Sequence, residues 1–155
     1  MIQLVQYVSY LLAALTVYAI AEKAGSNMGQ SMFAALISSL LTEWLMQCTT
    51  AQNDMILTIF IGVAVYFIFS FRKTQKRKDL VFAALSIGLS LSIKATALIG
   101  LVPVAVMALY IFLTMKNGTQ FRLSSFSFFV TFALVLTCLF AGPSGYLENY
   151  RLYGH

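Results

Sequence analysis

Residues 48–54 read CTTAQND, and residues 55–71 read MILTIFIGVAVYFIFSF. The first stretch is a short polar hinge; the second is an almost unbroken apolar run that starts directly after Asp54. Residues 31–47, SMFAALISSLLTEWLMQ, form a second apolar run on the other side of the hinge. An acid at the lip of such a run is costly in a bilayer unless it meets a polar cavity, a partner or the headgroups. The hinge therefore orders the reading of the chain: two spans meet at one membrane face, and Asp54 stands between them.

Working outward, apolar runs of about the roughly 17–25 residues needed to cross a bilayer recur along the sequence. They fall at about 2–21, 31–48, 55–71, 80–94, 99–115 and 123–141. The stretch 80–115 is too long for one ordinary span and carries one charge, Lys94, so it is divided near 94–100. These runs predict an all-α fold, a polytopic transmembrane helix bundle of about six spans forming one domain over residues 1–155. Hydrophobic residues make up 60% and charged residues 10% of the chain, far from the soluble balance of roughly half and a quarter. The net charge of +5 is then a matter of topology, and no nucleic-acid partner is implied.

Lys23, Arg72, Lys73, Lys76, Arg77, Lys78, Lys116 and Arg122 fall on one side of this arrangement, Lys94 and Arg151 on the other. Eight cations against two orient the first side to the cytoplasm. Asp54, Lys94 and the tail with Glu148 share the extracytoplasmic side. The same topology discounts the glycosylation pattern at Asn117-Gly118-Thr119. It also puts the N-terminus outside without a signal peptide's basic start, which suggests a chain that begins inside a larger protein. The basic run at 72–78 is a topology anchor, with attraction to anionic membrane lipid as the alternative. Neither a soluble domain nor a tandem repeat is visible.

Few polar groups sit where they could carry chemistry. Ser39, Glu43 and Gln47 recur every four residues and would share one helix face. Glu43 would be a hydrogen-bond partner inside the bundle or touch a substrate directly, since a lipid-facing carboxylate costs on the order of 3 kcal/mol. Ser86, Ser90 and Lys94 also repeat at four, with Gly88 and Ser92 adding small residues that suit close packing. Lys94 is either a snorkelling end-cap or a cation for a phosphate group at headgroup level. Asp54 is an N-cap of the following span, a partner of Lys94 or Arg151, or a ligand contact. Cys48 and Cys138 read as free thiols, and one histidine, His155, excludes a histidine-rich metal site. No nucleophile triad, phosphate-cradling glycine loop or metal-ligand spacing occurs, so no catalytic residue, metal ligand or cofactor is assigned.

The order of these pieces resembles the GT-C membrane glycosyltransferases, and more narrowly the dolichyl-phosphate-mannose–protein mannosyltransferase type, with bacterial relatives that use polyprenyl-phosphate sugars. The resemblance rests on residues 43–54 (EWLMQCTTAQND), residues 88–96 (GLSLSIKAT), the turn Lys23-Ala24-Gly25 and the tail at 148–155 (ENYRLYGH). It implies a GT-C-like membrane segment in a bacterial inner membrane, whose partners are membrane lipid and a polyprenyl-phosphate-linked sugar donor. It further implies that Lys94 balances the donor phosphate, that Asp54, Asn53 and Gln52 shape the cavity or hold Lys94, and that Glu43 supports the hinge. The family's proline near the start of the hinge helix is absent near Thr42. Its catalytic acid lies in a loop before the span that Met1 begins, so no residue here inherits that role, and the chain reads as an internal segment of such an enzyme. The rival reading is a non-enzymatic small polytopic membrane protein; a transporter would show pseudo-symmetric halves. The sugar, the acceptor, the lipid carrier and the oligomeric state are left open by the sequence.

Overall fold

The computed structural model describes residues 2–49, 54–141 and 151–152. Seven helices follow one another: α1 (Ile2–Ala24), α2 (Met28–Ser39), α3 (Thr42–Thr49), α4 (Asp54–Thr74), α5 (Arg77–Ile93), α6 (Ala97–Thr114) and α7 (Thr119–Ala141). No strand occurs among the described residues. The fold is an all-α bundle.

The first hairpin is built by local chemistry. Gly25 takes φ +113°, a conformation that suits glycine. Its N–H donates to the Glu22 carbonyl and that of Ser26 to the Ala21 carbonyl, closing α1 with the left-handed stop common at helix ends. Two residues later Asn27 caps α2: the Gln30 N–H donates to Asn27 Oδ1 at 2.9 Å, and the Asn27 N–H donates to Gln30 Oε1 at 3.1 Å. α2 then returns along α1.

The second expected span, 31–48, is not one helix. It breaks at Leu40 and Leu41 into the 12 residues of α2 and the 8 of α3. The Tyr10 hydroxyl donates to the Ser39 carbonyl at 2.8 Å, from across the α1 interface. Ser38 Oγ and Ser39 Oγ turn back onto the Ala35 and Leu36 carbonyls. Serine hydroxyls that bond the preceding turn compete with the helical ladder and bend it, and Tyr10 occupies a carbonyl at the point of the break.

Among the described residues, four helices are long and apolar enough to cross a membrane: α1, α4, α6 and α7. The expected six spans are not confirmed by this count. α2 and α3 are each too short, and α5 has 17 residues with Arg77, Lys78 and Asp79 at its start. α4, with 21 residues, is about 31 Å long at 1.5 Å per residue, close to the thickness of a bilayer core.

α5 is the buried centre, packed between α4 and α7. Its sequence permits that. Ala83, Ala84 and Gly88 are small and buried, and the hydroxyls of Ser86, Ser90 and Ser92 bond carbonyls of their own helix. A Cβ on Gly88 would stand 3.0 Å from Phe140 Cδ2 and 3.3 Å from the Leu136 backbone carbon, so α7 lies directly on this glycine. Lipid is as apolar as leucine, and close packing rather than exclusion of water holds such helices together.

The core sits at one end of the bundle. Ile68 and Phe71 of α4, Leu80, Ala83 and Ala84 of α5, Val104, Ala108, Ile111 and Phe112 of α6, Met115 and Phe129 form one cluster. Phe71–Phe112 and Phe112–Phe126 ring pairs at 5.5 and 5.4 Å run through it, each pair contributing about 0.5–1.5 kcal/mol beyond burial. Most of these positions lie toward the end bearing the basic turns. At the opposite end, Asp54 and Lys94 lie beside the buried Met55 and Ala97.

Candidate functional site at the Asp54–Lys94 end

Asp54 is the first residue of α4, so its carboxylate stands by the positive end of the helix dipole. Its backbone carbonyl accepts the Thr58 hydroxyl at 2.8 Å, and the next side chain, Met55, is fully buried and anchors the helix start. Lys94 caps the end of α5. There the chain turns to extended backbone (φ −159°, ψ 133°), then winds into α6 through Ala95 and Thr96. Two helices therefore end at Asp54 and Lys94, and a third begins three residues later at Ala97.

The two side chains meet. Lys94 Nζ donates to Asp54 Oδ1 at 2.9 Å, the one ion pair among the described residues. The Lys94 side chain remains 44% exposed and that of Asp54 27%. Lysine offers three N–H donors, and the aspartate takes one, so the ammonium can still donate outward. The first amides of α6 cannot do the same: the N–H groups of Ala97, Leu98 and Ile99 donate back to the Lys94, Ala95 and Thr96 carbonyls. Attraction of an anion at this corner thus rests on the Lys94 charge. Of the two partners considered for Asp54, Lys94 is the one engaged; Arg151 forms no ion pair among the described residues.

Glu43 does not join this pair. It lies exposed in the first turn of α3 and accepts a hydrogen bond from Gln47 Nε2 at 3.0 Å. The expected common face of Ser39, Glu43 and Gln47 is interrupted by the break at Leu40, and only its second half survives as that contact. The reason is the break itself: it makes Glu43 a first-turn residue of a short helix, where an acid complements the dipole. Gln52 and Asn53 lie outside the described residues, as do most of the tail positions at 148–155.

Spacing placed Asp54 and Lys94 on one membrane face, but the contacts that set their separation were silent in it. Gly100 of α6 faces Ile61 of α4, where an added Cβ would come within 2.7 Å of Ile61 Cδ1. This close approach brings the start of α6 against α4 below the pair. Sequence reading likewise missed Tyr10, because a tyrosine in an apolar run gives no sign of the carbonyl it will cap. No group of three His, Cys, Asp or Glu side chains able to hold a metal ion occurs among the described residues.

The family model described as dolichyl-phosphate-mannose-protein mannosyltransferase matches residues 1–142 of the 155. No curated protein and no solved structure matches the chain.

Proposed function

Since the chain belongs to the dolichyl-phosphate-mannose-protein mannosyltransferase family, multi-pass membrane glycosyltransferases of the GT-C type with lipid-linked sugar donors, we propose that it serves transfer of a sugar from a polyprenyl-phosphate donor to an acceptor on the extracytoplasmic face. Residues 1–155 act as a single transmembrane domain, in a bacterial inner membrane on the strength of its bacterial resemblance. The observation that carries the reading is the half-exposed Lys94 ammonium, held at 2.9 Å by Asp54 at the end of the bundle away from the basic turns.

The chemistry asks for such a cation. The acceptor hydroxyl attacks the anomeric carbon, the bond from that carbon to the phosphate oxygen breaks, and polyprenyl phosphate leaves as an anion. The acceptor's proton passes to a general base, a role given to none of this chain's residues. Charge gathers on the leaving phosphate in the transition state, so a pre-positioned ammonium lowers the barrier more than it strengthens ground-state binding. Lys94 supplies it. Asp54 is a positioning residue that keeps the lysine from snorkelling away, Glu43 with Gln47 stiffens the hinge, and Gln52 and Asn53 keep the role that the resemblance implies for them.

The test is equilibrium binding to the full chain in lipid nanodiscs, comparing a polyprenyl-phosphate sugar with the uncharged polyprenol. Clear preference for the phosphate supports the reading; equal binding removes the phosphate role from this end of the bundle.

A further inference from the structure

At the opposite end the turn between α4 and α5 is tied to the turn between α6 and α7. Gln75 Nε2 donates to Asn117 Oδ1, and Asn117 Nδ2 donates to Gln75 Oε1, both at 2.8 Å. Gln75 adopts φ +56°, the one non-glycine residue with positive φ among those described. Such a backbone costs a side-chain-bearing residue on the order of 1 kcal/mol, and here it accompanies a two-bond clasp across 42 residues of chain.

The clasp frames a polar pocket of about 260 Å³ lined by Arg72, Gln75, Thr114, Met115, Lys116 and Asn117. Both cations are exposed, and neither has a hydrogen bond or ion pair among the described residues. Nor are they needed to cap the helix ends beside them. The Leu113 carbonyl of α6 takes Arg122 Nη1 at 2.7 Å, and the Phe71 carbonyl of α4 takes the Gln75 N–H at 2.8 Å. Arg77 is occupied elsewhere, bonded to Ser124 Oγ and lying over Phe128. The nearby acid, Asp79, is buried and accepts the Thr74 hydroxyl, so it does not neutralise the pocket. Arg72 directly follows the buried Phe71, and Lys116 the buried Met115. The two charges thus sit where the apolar core stops, which is headgroup depth.

We propose that this pocket binds the phosphate of an anionic membrane lipid on the leaflet at the basic end, clamping the α4–α5 and α6–α7 turns together. Two unengaged cations over a polar floor recognise a phosphate, and their place at the ends of the apolar helices α4 and α6 favours one carried on acyl chains over one in solution. The site lies at the other end of the bundle from Lys94 and does not depend on the donor reading.

The experiment is thermal unfolding of the purified full chain in detergent, with short-chain phosphatidylglycerol titrated in. Phosphatidylcholine and inorganic phosphate are the parallel arms. Phosphatidylglycerol should raise the Tm saturably, and the other two should not. Arg72→Gln with Lys116→Gln should weaken phosphatidylglycerol roughly fivefold for each charge removed, about 25-fold together. Lys73→Gln with Lys78→Gln removes the same charge outside the pocket and should change it less than threefold. All four side chains are exposed, so the lipid-free Tm of both variants should stay near that of the parent and serves as the folding control. Equal losses in the two pairs would mean a diffuse basic surface, and an equal shift with inorganic phosphate would mean a soluble-anion site; either overturns the proposal.

Discussion

Lys94→Met removes the cation while keeping the length of the side chain. A unit charge about 4 Å from a phosphate is worth about 1 kcal/mol in water and about 4 kcal/mol at the effective dielectric near a protein surface. With its side chain 44% exposed, Lys94 belongs in the lower part of that range. A loss of about 1–2 kcal/mol corresponds to a roughly 5- to 30-fold weaker Kd for a polyprenyl-phosphate sugar. The same substitution deprives Asp54 of its partner, which for a partly exposed pair costs about 0.5–1 kcal/mol of stability. Asp54→Asn in the Lys94→Met background separates the two effects. It removes the stranded carboxylate and should recover most of the lost stability, measured as Tm in nanodiscs. It should leave donor affinity as weak as in Lys94→Met, because the phosphate still has no cation. Donor binding restored by Asp54→Asn would show that Lys94 acts only to neutralise Asp54, and the phosphate assignment would fall.

Three further substitutions probe the frame that holds this site. Gly88→Ala sets a methyl 3.0–3.3 Å from Phe140 and Leu136, including backbone; it should cost about 1 kcal/mol, and Gly88→Val up to about 3 kcal/mol, read as a fall in Tm. Asn27→Ala removes the reciprocal cap of α2 and should cost about 1 kcal/mol, with faster amide exchange confined to the first turn of α2. Tyr10→Phe deletes the hydroxyl on the Ser39 carbonyl; at about 1 kcal/mol for one hydrogen bond, it should raise amide exchange at residues 40–45, where an unchanged pattern would show that the break does not depend on Tyr10.

Much of the bundle is legible in the sequence. The spans at 2–21, 55–71, 99–115 and 123–141 correspond to α1, α4, α6 and α7, because length and apolarity are local properties that a bilayer reads directly. The run 31–48 misled for a physical reason. Hydropathy sees only that Leu36, Ile37, Leu40 and Leu41 are apolar, whereas the break depends on a hydroxyl arriving from residue 10 and on serines folding back onto their own carbonyls. Glu43 went with it: the helix face it was expected to share with Ser39 and Gln47 is interrupted once α3 is a separate short helix. α5 was legible as short and rich in small residues, but not as the centre of the bundle, since that follows from what α4 and α7 place against Gly88.

The sequence by itself determined that this is a polytopic helical membrane protein, that one end is basic and the other carries Asp54 and Lys94, and that its motifs fall in the order of a lipid-donor glycosyltransferase. The first two follow from composition, run length or the spacing of residues near in the chain; the third is a resemblance to a known family. Tertiary structure alone decided that Asp54 and Lys94 touch across 40 residues, that Glu43 stays apart from them, and that Gln75 reaches Asn117 to frame a second polar pocket. Those outcomes depend on how closely helices approach through Gly88 and Gly100, and a distance between helices is written in no single stretch of sequence.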